Sequence, residues 1–136
     1  MRPVALDTNA YSAFRRGDAD MLAVLQRATE LLLSTVAVGE LLAGFGMGSR
    51  PRENREALAA FLSSPRLRVV PIQMATADHY ALVVAQLRRK GRPIPTNDVW
   101  IAASALEHGA TLLTLDAHFS AIDGLRTGRC LADFLP

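Results

Sequence analysis

Four acidic side chains sit where chemistry explains them better than folding does. Asp7 ends the short apolar run Val4-Ala5-Leu6, and Asp116 ends a second run, Thr111–Leu115. Asp98 stands in the first turn of a helix-like segment, Asp98–His108. Glu40 lies a turn and a half into another helix, which Ser34-Thr35 can cap. A carboxylate closing a buried strand is costly unless it is paired. Like charges gathered in one place raise one another's pKa and oppose folding, unless a cation lies between them. Hard oxygen donors suit Mg²⁺ or Mn²⁺, and Mg²⁺ takes one or two carboxylates, several waters and a substrate phosphate. Such a site orients a water, lowers its pKa and offsets charge on a phosphate, which is the chemistry of metal-dependent phosphodiester hydrolysis. Thr8, Asn9 and Thr114 add short polar side chains able to hold the carboxylates in place. For Thr114, strand propensity is an equal explanation.

The elements that must position these acids follow from apolar patterning. Val4–Leu6, Leu31–Leu33, Leu67–Ile72 and Thr111–Leu115 are short continuous apolar runs and predict strands; a last strand is expected near Gly128–Leu131. Between them lie helical patterns at Ala10–Phe14, Asp20–Glu30, after Ser34-Thr35, at Arg55–Leu62, at Thr76–Lys90 and at Asp98–His108, the last stopped by Gly109. Thr96 or Asn97 is expected to cap the last of these helices. Gly44, Gly46 and Gly48 are expected to end the third, leaving 44–54 as a Gly- and Arg-rich loop. Strands that alternate with helices, and are apolar throughout, predict an α/β fold with a mainly parallel sheet covered on both faces. In such sheets ligands bind beyond the carboxyl ends of the strands, where Asp7 and Asp116 fall and where the following helices begin.

The 136 residues read as one domain, 1–136, able to bury roughly two thirds of its unfolded surface. Half are apolar and 21% are charged, as in ordinary globular proteins. The lone Cys130 excludes an internal disulfide and a thiolate zinc cluster, and favours a reducing, cytoplasmic setting. No signal-peptide pattern is seen, and no run nears the ~20 apolar residues of a membrane span. The net charge is only +2, yet every basic residue but Lys90 is arginine. They cluster at Arg50, Arg52 and Arg55, at Arg66 and Arg68, and at Arg88, Arg89, Lys90 and Arg92. Arginine forks suit phosphate, although a plain solvated surface explains the same clusters.

Taken singly, each acid has an ordinary explanation. Asp98 complements a helix dipole, Glu40 faces solvent, and Asp116 starts a turn. Asp7 is the hardest to explain in this way. His79, His108 and His118 are not needed for the chemistry; His118 is a loop residue near the site. Trp100 and Phe119 read as core or interface. A haloacid-dehalogenase-like site would want a second Asp where Asn9 stands, and a receiver domain would want a Lys after a late strand, whereas Lys90 follows a helix. A non-catalytic acidic module binding a basic peptide remains open, and a Mg²⁺ titration separates it from an enzyme.

Four segments carry a resemblance. "LDTN" at 6–9, "GELLAG" at 39–44, "IPTNDVWIAASALEHG" at 94–109 and "LLTLDAHFSAI" at 112–122 together resemble a PIN domain, and within PIN domains the VapC-type toxins of bacterial toxin–antitoxin pairs. The resemblance implies a PIN-like three-layer α/β sandwich and a metal-dependent endoribonuclease using Mg²⁺, with Mn²⁺ able to substitute. It implies Asp7, Glu40, Asp98 and Asp116 as the catalytic and metal-binding acids. The hydrolysis it implies leaves a 5′-phosphate and a 3′-hydroxyl. It further implies an RNA substrate (transfer or ribosomal RNA), a VapB-like antitoxin, a homodimer, and DNA contact only through the antitoxin. The 44–54 segment departs from the regular helical hairpin expected there.

Overall fold

The computed structural model describes residues 1–136. The chain runs β1 (Val4–Leu6), α1 (Thr8–Arg15), α2 (Ala19–Arg27), β2 (Leu31–Ser34), α3 (Thr35–Met47), α4 (Pro51–Leu62), β3 (Leu67–Val70), α5 (Met74–Lys90), α6 (Thr96–Glu107), β4 (Thr111–Leu113) and β5 (Thr127–Gly128). Short 3-10 turns lie between β4 and β5 at Ala117–Ala121 and after β5 at Leu131–Phe134. The strands form one sheet in the order β3-β2-β1-β4-β5, and every pairing is parallel. Each residue of β1, β2 and β4 is buried, which requires cover on both faces and accounts for the unbroken apolar runs. This is the α/β architecture expected, with β1 at the centre.

Topology places the site. Beyond β1 the chain builds outward to β2 and β3, and then returns to lay β4 on the other side of β1. The strand order therefore reverses between β1 and β4, the position where open parallel sheets leave a crevice. Leu6 pairs with Leu33 on one side and Leu113 on the other. One residue further on, Asp7, Ser34 and Thr114 stand abreast at the carboxyl edge. Beneath them Leu6, Leu33, Leu113 and Phe119 are at most 1% exposed and hold that edge rigid.

Several boundaries differ from the sequence expectation. The glycine-rich 44–54 segment is not a loop: α3 continues through Gly44 and Gly46 to Met47, and α4 begins at Pro51. Helical glycine costs ~1 kcal/mol each. Burial of Leu41 and packing of Phe45 on the core offset that, and Pro51 sits at a helix start, where its missing N–H is harmless. The third strand stops at Val70 because Pro71 supplies no donor. Helix α6 starts at Thr96 with Pro95 before it and no side-chain cap, so neither Thr96 nor Asn97 caps it. The fourth strand stops at Leu113, and the last is the two-residue β5, which shares only Gly128 with the span expected. A Cβ on Gly128 would lie 2.5 Å from the Phe134 ring, so only glycine admits that ring against β5. No helix is long and apolar enough to cross a membrane.

Candidate active site

Asp7 is 2% exposed and does two jobs at once. As the residue before α1 it accepts the Ala10 backbone N–H on Oδ1 at 2.7 Å, a helix cap. Its Oδ2 accepts the Thr114 hydroxyl at 2.5 Å, across the β1–β4 seam. The Thr114 hydroxyl in turn accepts the Asp116 backbone N–H at 3.0 Å. Asp116 Oδ2 accepts the Asn9 amide at 2.7 Å, tying the end of β4 back to α1. From the other side of the crevice, Glu40 on α3 accepts the Thr8 hydroxyl on Oε1 at 2.7 Å and the Asn97 amide on Oε2 at 3.3 Å. Asp98 follows in the first turn of α6, and its Oδ2 lies 3.0 Å from His118 Nε2.

All seven residues singled out in the sequence thus converge. Asp7, Glu40 and Asp98, with Thr8 and Asn9, line a groove of about 390 Å³ whose only apolar side chain is Pro95. Asp116 and Thr114 close it through Asn9 and Asp7. Two participants were missed. Asn97 reads in sequence as a helix cap, yet its amide reaches Glu40, 57 positions earlier in the chain, a pairing no local pattern reveals. His118 reads as dispensable, yet Asp98, Asp116 and His118 present ligand atoms within 4.8 Å of one another. Its signal was its place two residues after Asp116, on the turn that leaves the sheet edge. His108, by contrast, ends α6 as expected, and Phe119 is fully buried core.

The electrostatics record the crowding. Burial pushes the Asp7 carboxyl up to about 6, and the charges of Asp116 and Asp98 add to the rise. The bonds from Thr114 and Ala10 oppose it. Burial also raises the Asp98 carboxyl; His118 opposes that shift, and Glu40 and Asp116 add to it. No arginine or lysine enters the cluster to neutralise it. A divalent cation fits the donors brought together here, carboxylate oxygens of Asp98 and Asp116 with a ring nitrogen of His118, beside an open groove with room for water and phosphate.

The family model described as "PIN domain" matches residues 4–125, nine tenths of the chain. The chain belongs to the PIN-domain family. Within it, the chain is 32% identical over 125 residues to Ribonuclease VapC2 of Haemophilus influenzae, covering 90% of this chain and 93% of that one. It is 31% identical over 99 residues to the tRNA(fMet)-specific endonuclease VapC of Shigella flexneri, covering 72% and 74% respectively. Among solved structures, DNA-bound VapBC from Salmonella typhimurium superposes with a TM-score of 0.83 at 27% identity, covering 94% of this chain and 98% of that chain. PIN nucleases use divalent metal ions, and this member carries an acidic cluster, with ligand atoms of Asp98, Asp116 and His118 within 4.8 Å of one another.

Proposed function

We propose that the protein is a metal-dependent endoribonuclease, the toxin of a toxin–antitoxin pair, and that the acidic groove is its active site. In this reading residues 1–136 form one PIN-like unit. Asp7, Asp98 and Asp116 hold Mg²⁺, for which Mn²⁺ can substitute, and Glu40 assists. When bound, the cation supplies Lewis-acid polarisation of a phosphoryl oxygen and a lowered pKa for water. The chain's own residues do the rest. Thr114 and the Ala10 N–H fix both oxygens of Asp7. Asn9 fixes Asp116. Thr8 and Asn97 hold Glu40 facing the groove, where its carboxylate is placed to take a proton from an attacking water. Walls that are polar except for Pro95 admit a hydrated phosphodiester and offer little apolar surface to a base.

The observation that carries the reading is Asp7: a carboxylate 2% exposed, with a pKa of about 6 and no basic partner, at the switch point of a parallel sheet. Above that pKa the group is a buried charge with nothing positive beside it, and a bound cation would offset its cost. The ribonuclease names of the relatives support RNA as substrate. The Shigella flexneri name supports transfer RNA in particular, with ribosomal RNA the other target to try. The structural neighbour is a toxin–antitoxin complex on DNA, which supports a VapB-like antitoxin and contact with DNA only through it. A homodimer and a cytoplasmic location complete the proposal.

The test is cleavage of transfer and ribosomal RNA by purified, partner-free protein, with Mg²⁺ or Mn²⁺ and with EDTA, for wild type and Asp98→Asn. Metal-dependent cutting abolished by the substitution supports the proposal. Equal cutting by both proteins removes Asp98 and the groove from the mechanism.

A further inference from the structure

Beside the acidic groove lies a second recess of about 380 Å³, of a different chemical kind. Thr96 lines both, so the two lie side by side at the start of α6. The groove is polar apart from Pro95, whereas the recess is walled by Val84 and Leu87 of α5 and by Ile94 and Val99. Tyr80 and Arg88 complete it. Its shape is built in. Gly91 ends α5 in the left-handed conformation (φ 63°) and turns the chain back, so that Ile94 returns across α5. Lys90 pins that end of α5 through the Ala121 carbonyl at 2.6 Å and Asp123 at 2.5 Å. Trp100, which does not line the recess, stacks behind Tyr80 at 4.0 Å and 19° and sets its ring.

We propose that this recess holds the nucleobase neighbouring the scissile phosphate, with Arg88 on an adjoining backbone phosphate. The inference rests on the nuclease reading of the acidic groove. RNA cut at a polar groove must put its bases somewhere. Proteins hold unpaired RNA bases on aromatic side chains and apolar surface, with arginine on the phosphate. Binding recesses of ~300–1,000 Å³ with apolar walls and few polar groups are typical of such ligands. A second copy of the chain is the rival occupant. However, the exposed apolar side chains that suit such a contact, Val69, Ile72, Met74 and Leu82, do not line the recess.

Trp100 is the only tryptophan and reports on Tyr80 directly. The experiment titrates metal-free protein with each of the four ribonucleoside 5′-monophosphates and follows Trp100 fluorescence, for wild type, Val84→Phe and Arg88→Ala. At least one nucleotide is expected to change the emission saturably. Each variant is expected to weaken that binding about tenfold, through lost space or a lost phosphate contact. The same variants are expected to lose RNA cleavage through KM rather than kcat. No saturable change with any nucleotide, or variants that bind like wild type, overturns the proposal. So does sedimentation showing that Val84→Phe splits a dimer, which makes the recess a face between copies. Asp98→Asn tested in parallel separates the two ideas. If it still cuts RNA, the nuclease reading of the groove has failed, whatever the fluorescence shows.

Discussion

Replacing Asp7 by asparagine should abolish cleavage and yet make the metal-free protein more stable. Burial raises the Asp7 carboxyl from 3.8 to about 6. Two units correspond to about 3 kcal/mol of stability. The sign follows from proton binding: the folded state holds this proton more tightly than the unfolded chain does. The stabilisation is therefore fully present below about 3.8 and is lost as pH rises through about 6. At neutral pH the folded protein carries the whole penalty of a buried charge. Asparagine keeps the cap to Ala10 through its Oδ1 but cannot accept the Thr114 hydroxyl on its amide nitrogen. Losing that bond subtracts about 1 kcal/mol, leaving a net gain of about 2 kcal/mol. For a chain of this length that is a rise in Tm of roughly 4–10 °C. The assay is thermal denaturation in EDTA between pH 5 and pH 7.5. Wild type should lose stability across that range, the variant should change less, and the curves should diverge upward in pH. Added Mg²⁺ should raise the Tm of wild type and not of the variant. A variant less stable than wild type at pH 7.5 in EDTA would refute the reasoning, because the cap and the Thr114 bond would then outweigh the buried charge.

Three further outcomes follow from the same geometry. Thr114→Val removes the hydroxyl between Asp7 and the Asp116 backbone; it should cost about 1–2 kcal/mol in urea denaturation and weaken Mg²⁺ binding by calorimetry roughly tenfold or more. Asn97→Ala frees one oxygen of Glu40 at an exposed position; cleavage should slow roughly tenfold while stability stays within about 0.5 kcal/mol, and full activity would remove Asn97 from the site. Gly128→Ala puts a Cβ 2.5 Å from the Phe134 ring; it should lower stability by about 1–3 kcal/mol, and an unchanged urea midpoint would show that the ring moves freely.

What could be read from sequence was whatever a short window contains. The runs at Val4–Leu6, Leu31–Leu33 and Thr111–Leu113 are apolar on both faces and announced a covered parallel sheet. Asp7 was conspicuous because it breaks such a run, and the other three acids were found by the edge to which the topology assigns them. What escaped depended on distant partners. Gly44 and Gly46 argue locally against helix, and only the packing of Leu41 and Phe45 overrules them. The last strand was expected near Gly128–Leu131, but its bounds escaped, because the two residues of β5 are too few for any period to register. Asn97 and His118 each find an acid far off in the chain, Glu40 for one and Asp98 for the other; spacing put His118 near Asp116 but named neither partner.

The bond between Asp7 and Thr114 joins residues 107 positions apart, and it crosses between the middle strand and one made near the end of synthesis. On the ribosome the amino end emerges first. While β4 is still unmade, β1 has one open edge, Asp7 has no hydroxyl to hold it, and neither Asp98 nor Asp116 yet exists for much of that time. The acid cluster is therefore a late product of translation. The groove proposed to cut RNA is incomplete until β4 and the Asp116 that follows it have been made.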